Sequence, residues 1–247
     1  MELLFKHRSI RKYKEEPIDE QVLNKVIEAG TRASNTGNMQ LYSVVVTKDA
    51  AAKAQLAPLH FNQPMVKQAP VLLTICADIN RFNQWCELNQ ADAGYNNLLW
   101  ILNATIDASL FAQNMCVEAE SHGLGICYLG TALYNAQEFI DALELPKGVF
   151  PVTALVVGYP DQEPPLTDRL PLEAVVHQEK YADYAAERIA SLHAEKESLE
   201  SSKQFVKENN KQNLAQVFTD VRYKKADNEL FSAKLMETLR KQGFKLD

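Results

Sequence analysis

The sequence predicts an α+β fold: a mixed, mostly antiparallel central sheet flanked by helices, with a helical C-terminal extension. Three observations predict it. Four short β-rich runs, at residues 41–47, 71–77, 126–129 and 152–158, are separated by wide, uneven intervals. Turn residues such as Pro70, Gly123, Gly125, Pro151 and Pro160 flank them. The intervals hold one helix or several, whereas a repeat of parallel strands and crossover helices would space the strands evenly.

Taken in order, Asp19 and Glu20 read as an N-cap and an acidic first turn, and Val22, Leu23, Val26 and Ile27 then recur at helical spacing. The longest helix is expected at about residues 93–122. Its apolar residues wrap most of the circumference, so it should be buried on several sides, in a core or at a subunit interface. Asn103, Asp107, Gln113, Asn114 and Glu118 interrupt it, and Asp107 at mid-bilayer would cost about 3 kcal/mol, which argues against a membrane span. After Pro171 there is no further proline and one glycine, Gly243, a plausible C-cap for a helix patterned by Leu230, Phe231, Leu235, Met236 and Leu239. This region is either a second small domain or, as its narrow apolar stripe favours, a helical extension. We therefore expect one domain over 1–247, with a core to about residue 177 and an extension over about 178–247.

Of the 247 residues, 46% are hydrophobic and 23% charged, an ordinary globular balance. A net charge of −6 argues against a nucleic-acid partner, since such surfaces are usually basic. Cys76, Cys86, Cys116 and Cys127 form no C-x-x-C pair and no zinc-like spacing with histidine, so free buried thiols are expected and no metal site. The N-terminus lacks the apolar run of a signal peptide, and a cytoplasmic location follows.

No phosphate-binding G-x-x-x-x-G-K-[ST], no H-E-x-x-H and no G-x-S-x-G is present. The glycines of residues 123–130 are wrongly spaced for a dinucleotide fingerprint. Four separated segments instead suit an anionic, flat, heteroaromatic ligand. In His7-Arg8-Ser9-Ile10-Arg11, Arg8 and Arg11 lie three apart and would share a face in a helical turn, making with Ser9 a forked grip for a phosphate dianion. Asn35, Asn38 and Gln40 crowd side-chain amides between a helix end and a strand start, where they can meet the alternating donors and acceptors of a uracil-like edge, and Gly37 permits close backbone approach. Residues 125–131 form a tight apolar turn before a helix, with Gly130 leaving room for a phosphate or a ring face. Arg169 sits in the proline-bounded loop Asp168-Arg169-Leu170-Pro171. Taken singly each segment is a weak signal, and a solvated basic turn for the first or an Asn-rich turn for the second is the favoured reading of either alone.

In this order the segments resemble the nitroreductase family of FMN enzymes, in particular its oxygen-insensitive, NADPH-dependent branch. The resemblance rests on H-R-S-I-R-K-Y, A-S-N-T-G-N-M-Q, Gln63 before Gln68-Ala-Pro70, A-Q-N-M-C-V-E-A-E-S-H-G-L-G-I-C-Y-L-G, L-E-L-P-K-G-V-F-P, D-R-L-P and the terminal L-R-K-Q-G-F. It implies that His7, Arg8, Ser9 and Arg11 hold the FMN phosphate and ribityl end, with Arg169 also reaching the phosphate. Asn35, Gly37, Asn38 and Gln63 would address the ring edge and ribityl chain, and Tyr128, Leu129, Gly130 and Thr131 would line the flavin. It further implies a homodimer with flavins at the interface, NADPH or NADH as donor, and ping-pong hydride transfer to a small-molecule oxidant such as a nitroaromatic or quinone. The cofactor carries that chemistry, so no catalytic side chain is assigned. Two departures stand out: Thr167 occupies a position where the branch often has Lys, and Asn35, Thr36 and Gly37 replace common serines. Lys203, Lys207, Lys211, Arg222, Lys224 and Lys225 are candidates for a nucleotide 2′-phosphate or are simply solvated. Dehalogenation, flavin breakdown, flavin storage without turnover and a flavin-free protein remain as alternatives.

Overall fold

The computed structural model describes residues 2–246. The chain forms two compact units: the first runs to Leu166 and resumes at Ala233, and the second is Thr167–Ser232. In chain order the first contains α1 (Glu20–Thr31), β1 (Tyr42–Thr47), α2 (Ala50–Leu56), α3 (Met65–Gln68), β2 (Val71–Asp78), α4 (Asn80–Leu88), α5 (Leu98–Ser121), β3 (Gly125–Leu129), α6 (Ala136–Ala142) and β4 (Val149–Gly158). The second contains α7 (Ala186–Ser198), α8 (Glu200–Glu208) and α9 (Leu214–Val217). Helix α10 (Lys225–Lys241) begins in the second unit's sequence and ends in the first's.

The four strands are ordered β1-β2-β4-β3, every neighbouring pair antiparallel. Ser9 adds a parallel bridge to Ile126 at the free edge of β3, so the predicted mixed, mostly antiparallel sheet with flanking helices is what forms. One face packs on α1 and α5 through Val71, Leu73, Ile75, Ala77, Leu155 and Val157. The other buries Leu72, Cys127, Leu129, Ala154 and Val156 against α2, α3 and α6. All four cysteines are free and buried.

Strand β4 begins before its predicted start. Pro151, expected as a flanking breaker, lies inside it opposite Cys76, where the register with β2 shifts. Proline has no N–H to give the ladder and is tolerated at a bulge. The extra residue also reverses the alternation: Phe150 and Val152 face the same core as Leu155 and Val157.

Asp19 caps α1 by accepting from Gln21 N at 2.8 Å and Val22 N at 3.3 Å. Helix α5 starts at Leu98, five residues later than predicted. Lys245 N donates to Asn96 O at 2.8 Å and bridges to Asn97, which holds this stretch extended, and Asn97 Oδ1 caps Trp100 N. Gly243, at φ +92°, closes α10 as expected, with Gly243 N on Arg240 O and Phe244 N on Leu239 O. No helix among the described residues is long and apolar enough to cross a membrane.

In the second unit, Lys196 Nζ donates to Asp168 Oδ2 at 2.9 Å, and this hydrogen bond holds the Asp168 carboxyl below the usual carboxylate range. The Arg222 guanidinium lies 4.5 Å from the Phe205 ring centroid.

Candidate functional site

The basic N-terminal segment is extended, not helical. Ile10 N donates to Ile126 O at 2.8 Å, and Lys14 N and Asp161 N continue the pairing with Tyr159 O and Lys12 O. The expected shared face of Arg8 and Arg11 is therefore not formed: side chains of an extended chain alternate, so a spacing of three puts them on opposite sides. Arg8 lines a cavity of about 340 Å³ with Lys6, Ile10, Glu120, Gly125 and Glu163. Arg11 lines another of about 780 Å³ with Lys12, Tyr13, Lys67, Gln68 and Asp161. Two facing glycines allow the segment to lie this close. Gly125 and Gly158 are register partners; a Cβ on the first would stand 2.5 Å from Ile10 Cγ1, and on the second 2.9 Å from the Tyr13 ring.

Within the first cavity the charges nearly balance. Arg8 Nη1 pairs with Glu163 Oε1 at 3.2 Å, and His7 Nδ1 lies 2.6 Å from Glu120 Oε1. Arg8 Nε is buried and has no hydrogen-bond partner among the described residues. An ionised N–H left in this state lacks an anionic or polar acceptor.

The Asn35–Gln40 loop hangs on α5. Asp107, only 1% exposed, accepts from Thr36 N at 2.9 Å, Thr36 Oγ1 at 3.0 Å and Leu41 N at 3.4 Å. Those bonds fix a tight path with positive φ at Gly37, Asn38 and Gln40. Asn35 is partly used internally, Oδ1 accepting from Gln40 N and Nδ2 donating to Ala33 O.

Residues 125–129 are strand β3, and a 3-10 turn over Gly130–Ala132 follows. This turn precedes a helix as expected, α6 beginning at Ala136. A Cβ on Gly130 would meet nothing within 4 Å, so this turn opens onto free space. The Tyr128 hydroxyl reaches Gln113 Oε1 on α5 at 3.5 Å. Gln63 follows the turn at Ala57–His60, and His60 Nδ1 lies 2.6 Å from Thr131 Oγ1. The structure thus joins the first segment to the third at the β3 edge, and the third to the Gln63 loop through His60, while α5 carries the second. Arg169 belongs to the second unit, where its guanidinium donates to Asp168 O at 2.9 Å and Thr167 O at 3.4 Å.

The Nitroreductase family pattern matches residues 4–159. The chain belongs to the nitroreductase family. An FMN reductase [NAD(P)H] of Bacillus subtilis (strain 168) is 35% identical over 247 aligned residues, 98% of this chain and 96% of that protein. An oxygen-insensitive NADPH nitroreductase of Salmonella typhimurium is 36% identical over 73% of this chain and 74% of its own. A crystal structure from Bacteroides fragilis NCTC 9343 is 54% identical with a TM-score of 0.98, covering 99% of this chain and 100% of that one.

Two supporting residues of this nitroreductase escaped the sequence reading. Asp107 had a visible signal, an acid inside an apolar helix, but that signal names no partner. His60 had none, because a lone histidine in a polar turn is unremarkable until the fold buries it. Among the nucleotide-binding candidates, Lys203, Lys211 and Lys225 pair with Glu200, Asp220 and Glu229.

Proposed function

We propose that the chain is an FMN-dependent NAD(P)H oxidoreductase that reduces nitroaromatics, quinones or flavins, and that it works as a homodimer in the cytoplasm. The observation that carries this reading is Arg8 Nε, a buried cationic donor without an acceptor, in a cavity where the basic segment meets the β3 edge. The donor set fits FMN: the Arg8 guanidinium and a hydroxyl for a phosphate dianion, amides for a ring edge, and an open turn at Gly130 for a planar group.

His7, Arg8 and Ser9 would hold the phosphate and ribityl end, Arg8 through Nε and His7 by orienting the segment from Glu120, whereas Arg11, which lines a separate cavity on the other side of the segment, has no part in that grip. Asn35, Gly37, Asn38 and Gln63 would meet the ring edge and ribityl chain, and Tyr128, Leu129, Gly130 and Thr131 would line the ring. FMN, when bound, supplies a two-electron carrier that takes hydride from NAD(P)H and passes it to the oxidant. The protein's share is to orient the reacting partners and exclude water, and no side chain is given a catalytic role. Residues 178–247 are read as a helical extension of one nitroreductase-like domain.

The homodimer reading is supported by α5, whose outer face carries Leu99, Leu102, Ile106 and Leu110, all between 42% and 62% exposed. They recur at helical spacing, and a second copy would cover them. Four buried free thiols suit a reducing compartment. The test is anaerobic titration of FMN-loaded protein with NADPH and with NADH while following flavin absorbance. Bleaching by either nucleotide, restored by menadione or nitrofurazone, is expected. Protein that takes up no FMN, or whose FMN neither nucleotide bleaches, refutes the reading.

A further inference from the structure

Two loops carrying proposed flavin-facing residues are stapled to each other. One ends the 3-10 turn Ala57–His60 and passes through Phe61 and Asn62, at φ of 54° and 55°, to Gln63. The other is the Gly130–Ala132 turn. His60 Nδ1 meets Thr131 Oγ1 at 2.6 Å, and Asn135 Nδ2 donates to Leu59 O at 2.7 Å.

His60 is fully buried, its ring edge-on to Phe139 at 4.8 Å between centroids, and its Nε2 has no hydrogen-bond partner among the described residues. Burying an imidazole with one nitrogen unsatisfied costs stability that an apolar side chain of similar size would not cost. What the imidazole adds is the bond to Thr131. A neutral ring donates from one nitrogen and accepts at the other, while a threonine hydroxyl does both, so this bond forms in either tautomer. Burial keeps the ring neutral, its pKa pushed down to about 4. Threonine is β-branched and stiff about χ1, so holding Oγ1 also orients the Gly130–Thr131 backbone, whose open side is the proposed ring-facing surface.

Building on the flavin assignment above, we propose that His60 is a positioning residue for FMN: through Thr131 Oγ1 it holds the Gly130–Thr131 turn against the Gln63 loop in the geometry that receives the flavin. Its contribution is preorganisation, since a turn already in place has no ordering cost left to meet on binding.

The test is titration of apoprotein with FMN, read by quenching of flavin fluorescence, together with the absorbance spectrum of the bound flavin. His60→Leu and Thr131→Val are each expected to weaken FMN binding about tenfold, and the double variant no further, because both remove one bond. Thr131→Ser and His60→Asn, whose amide reaches the Nδ1 position, should stay within about twofold of the parent. His60→Gln, whose amide reaches the Nε2 position instead, should be weakened like His60→Leu, which keeps the question decidable if His60→Leu does not fold. Losses that multiply in the double variant overturn the proposal, as does a His60→Leu protein that melts earlier but binds FMN with unchanged affinity and spectrum. A parent that takes up no FMN sinks the flavin reading and this proposal together, whereas a parent that binds while the two losses multiply sinks the His60 role alone.

Discussion

Arg8 divides its guanidinium between two environments. Nη1 faces Glu163, whose side chain is 84% exposed, while Nε is buried and unpartnered. An exposed ion pair contributes about 0–1 kcal/mol, against about 1.5–3 kcal/mol for a hydrogen bond to a charged group, so on the proposed assignment a phosphate at Arg8 would outcompete Glu163. Arg8→Ala should therefore weaken FMN binding roughly ten- to a hundredfold with little change in thermal melting; unchanged FMN affinity would remove Arg8 from the phosphate site. His60 makes a separate prediction about stability. Its folded pKa, about 4, lies below the ordinary 6.5, so as pH falls from 6.5 toward 4 the unfolded chain takes up a proton that the folded chain refuses. Stability is complete above about 6.5 and declines through that window by about 3 kcal/mol in all. The urea midpoint of the parent should fall between pH 7 and pH 4.5 more than that of His60→Asn, and parallel falls would contradict the assignment.

At the scale of elements, the N-terminal segment reaches the site only because β3 and β4 carry glycines at one register position. The ideal Cβ of residue 125 would lie 2.5 Å from Ile10 Cγ1 and 2.8 Å from Ile10 Cβ, too close for a rotamer change to relieve. Gly125→Ala should cost about 1–3 kcal/mol and loosen FMN, because Arg8 rides on the same segment. Adding Ile10→Ala should recover part of the loss in a denaturation cycle; strict additivity of the two changes would show that the contact is not the cause. The Asn35–Gln40 loop depends in the same way on α5. Its backbone turns through three left-handed residues because the Asp107 carboxylate collects the N–H groups of Thr36 and Leu41, which no strand partner satisfies there.

For the molecule as a whole, the unsolved apolar surface is the outer stripe of α5. A helix that is apolar on nearly all sides needs cover on each, and the sheet together with α1 supplies it for Ile101, Ala104, Ala108, Phe111 and their neighbours. Sedimentation of the parent should show a dimer. Leu102→Glu, which places a charge in the stripe, should shift it toward monomer while leaving the secondary structure intact; a parent that sediments as a monomer at every concentration would exclude the second copy.

The fold class, the four strands, the Asp19 cap, the Gly243 stop and the buried thiols were legible in the sequence because each follows from local periodicity or from the conformational preference of one residue. The candidate site residues were legible as residue types in order, which sufficed for the family. Their geometry was not. Whether Arg8 and Arg11 share a face depends on whether the segment coils or pairs, and Ile126 on a distant strand decides that. The place of Pro151 inside a strand depends on a register shift with β2, and the partnership of His60 with Thr131 on two loops meeting across the β3–α6 turn. Periodicity and turn chemistry act over a few neighbouring residues, whereas the burial of a side chain and the identity of its partner are set by whichever segment the packed core brings against it.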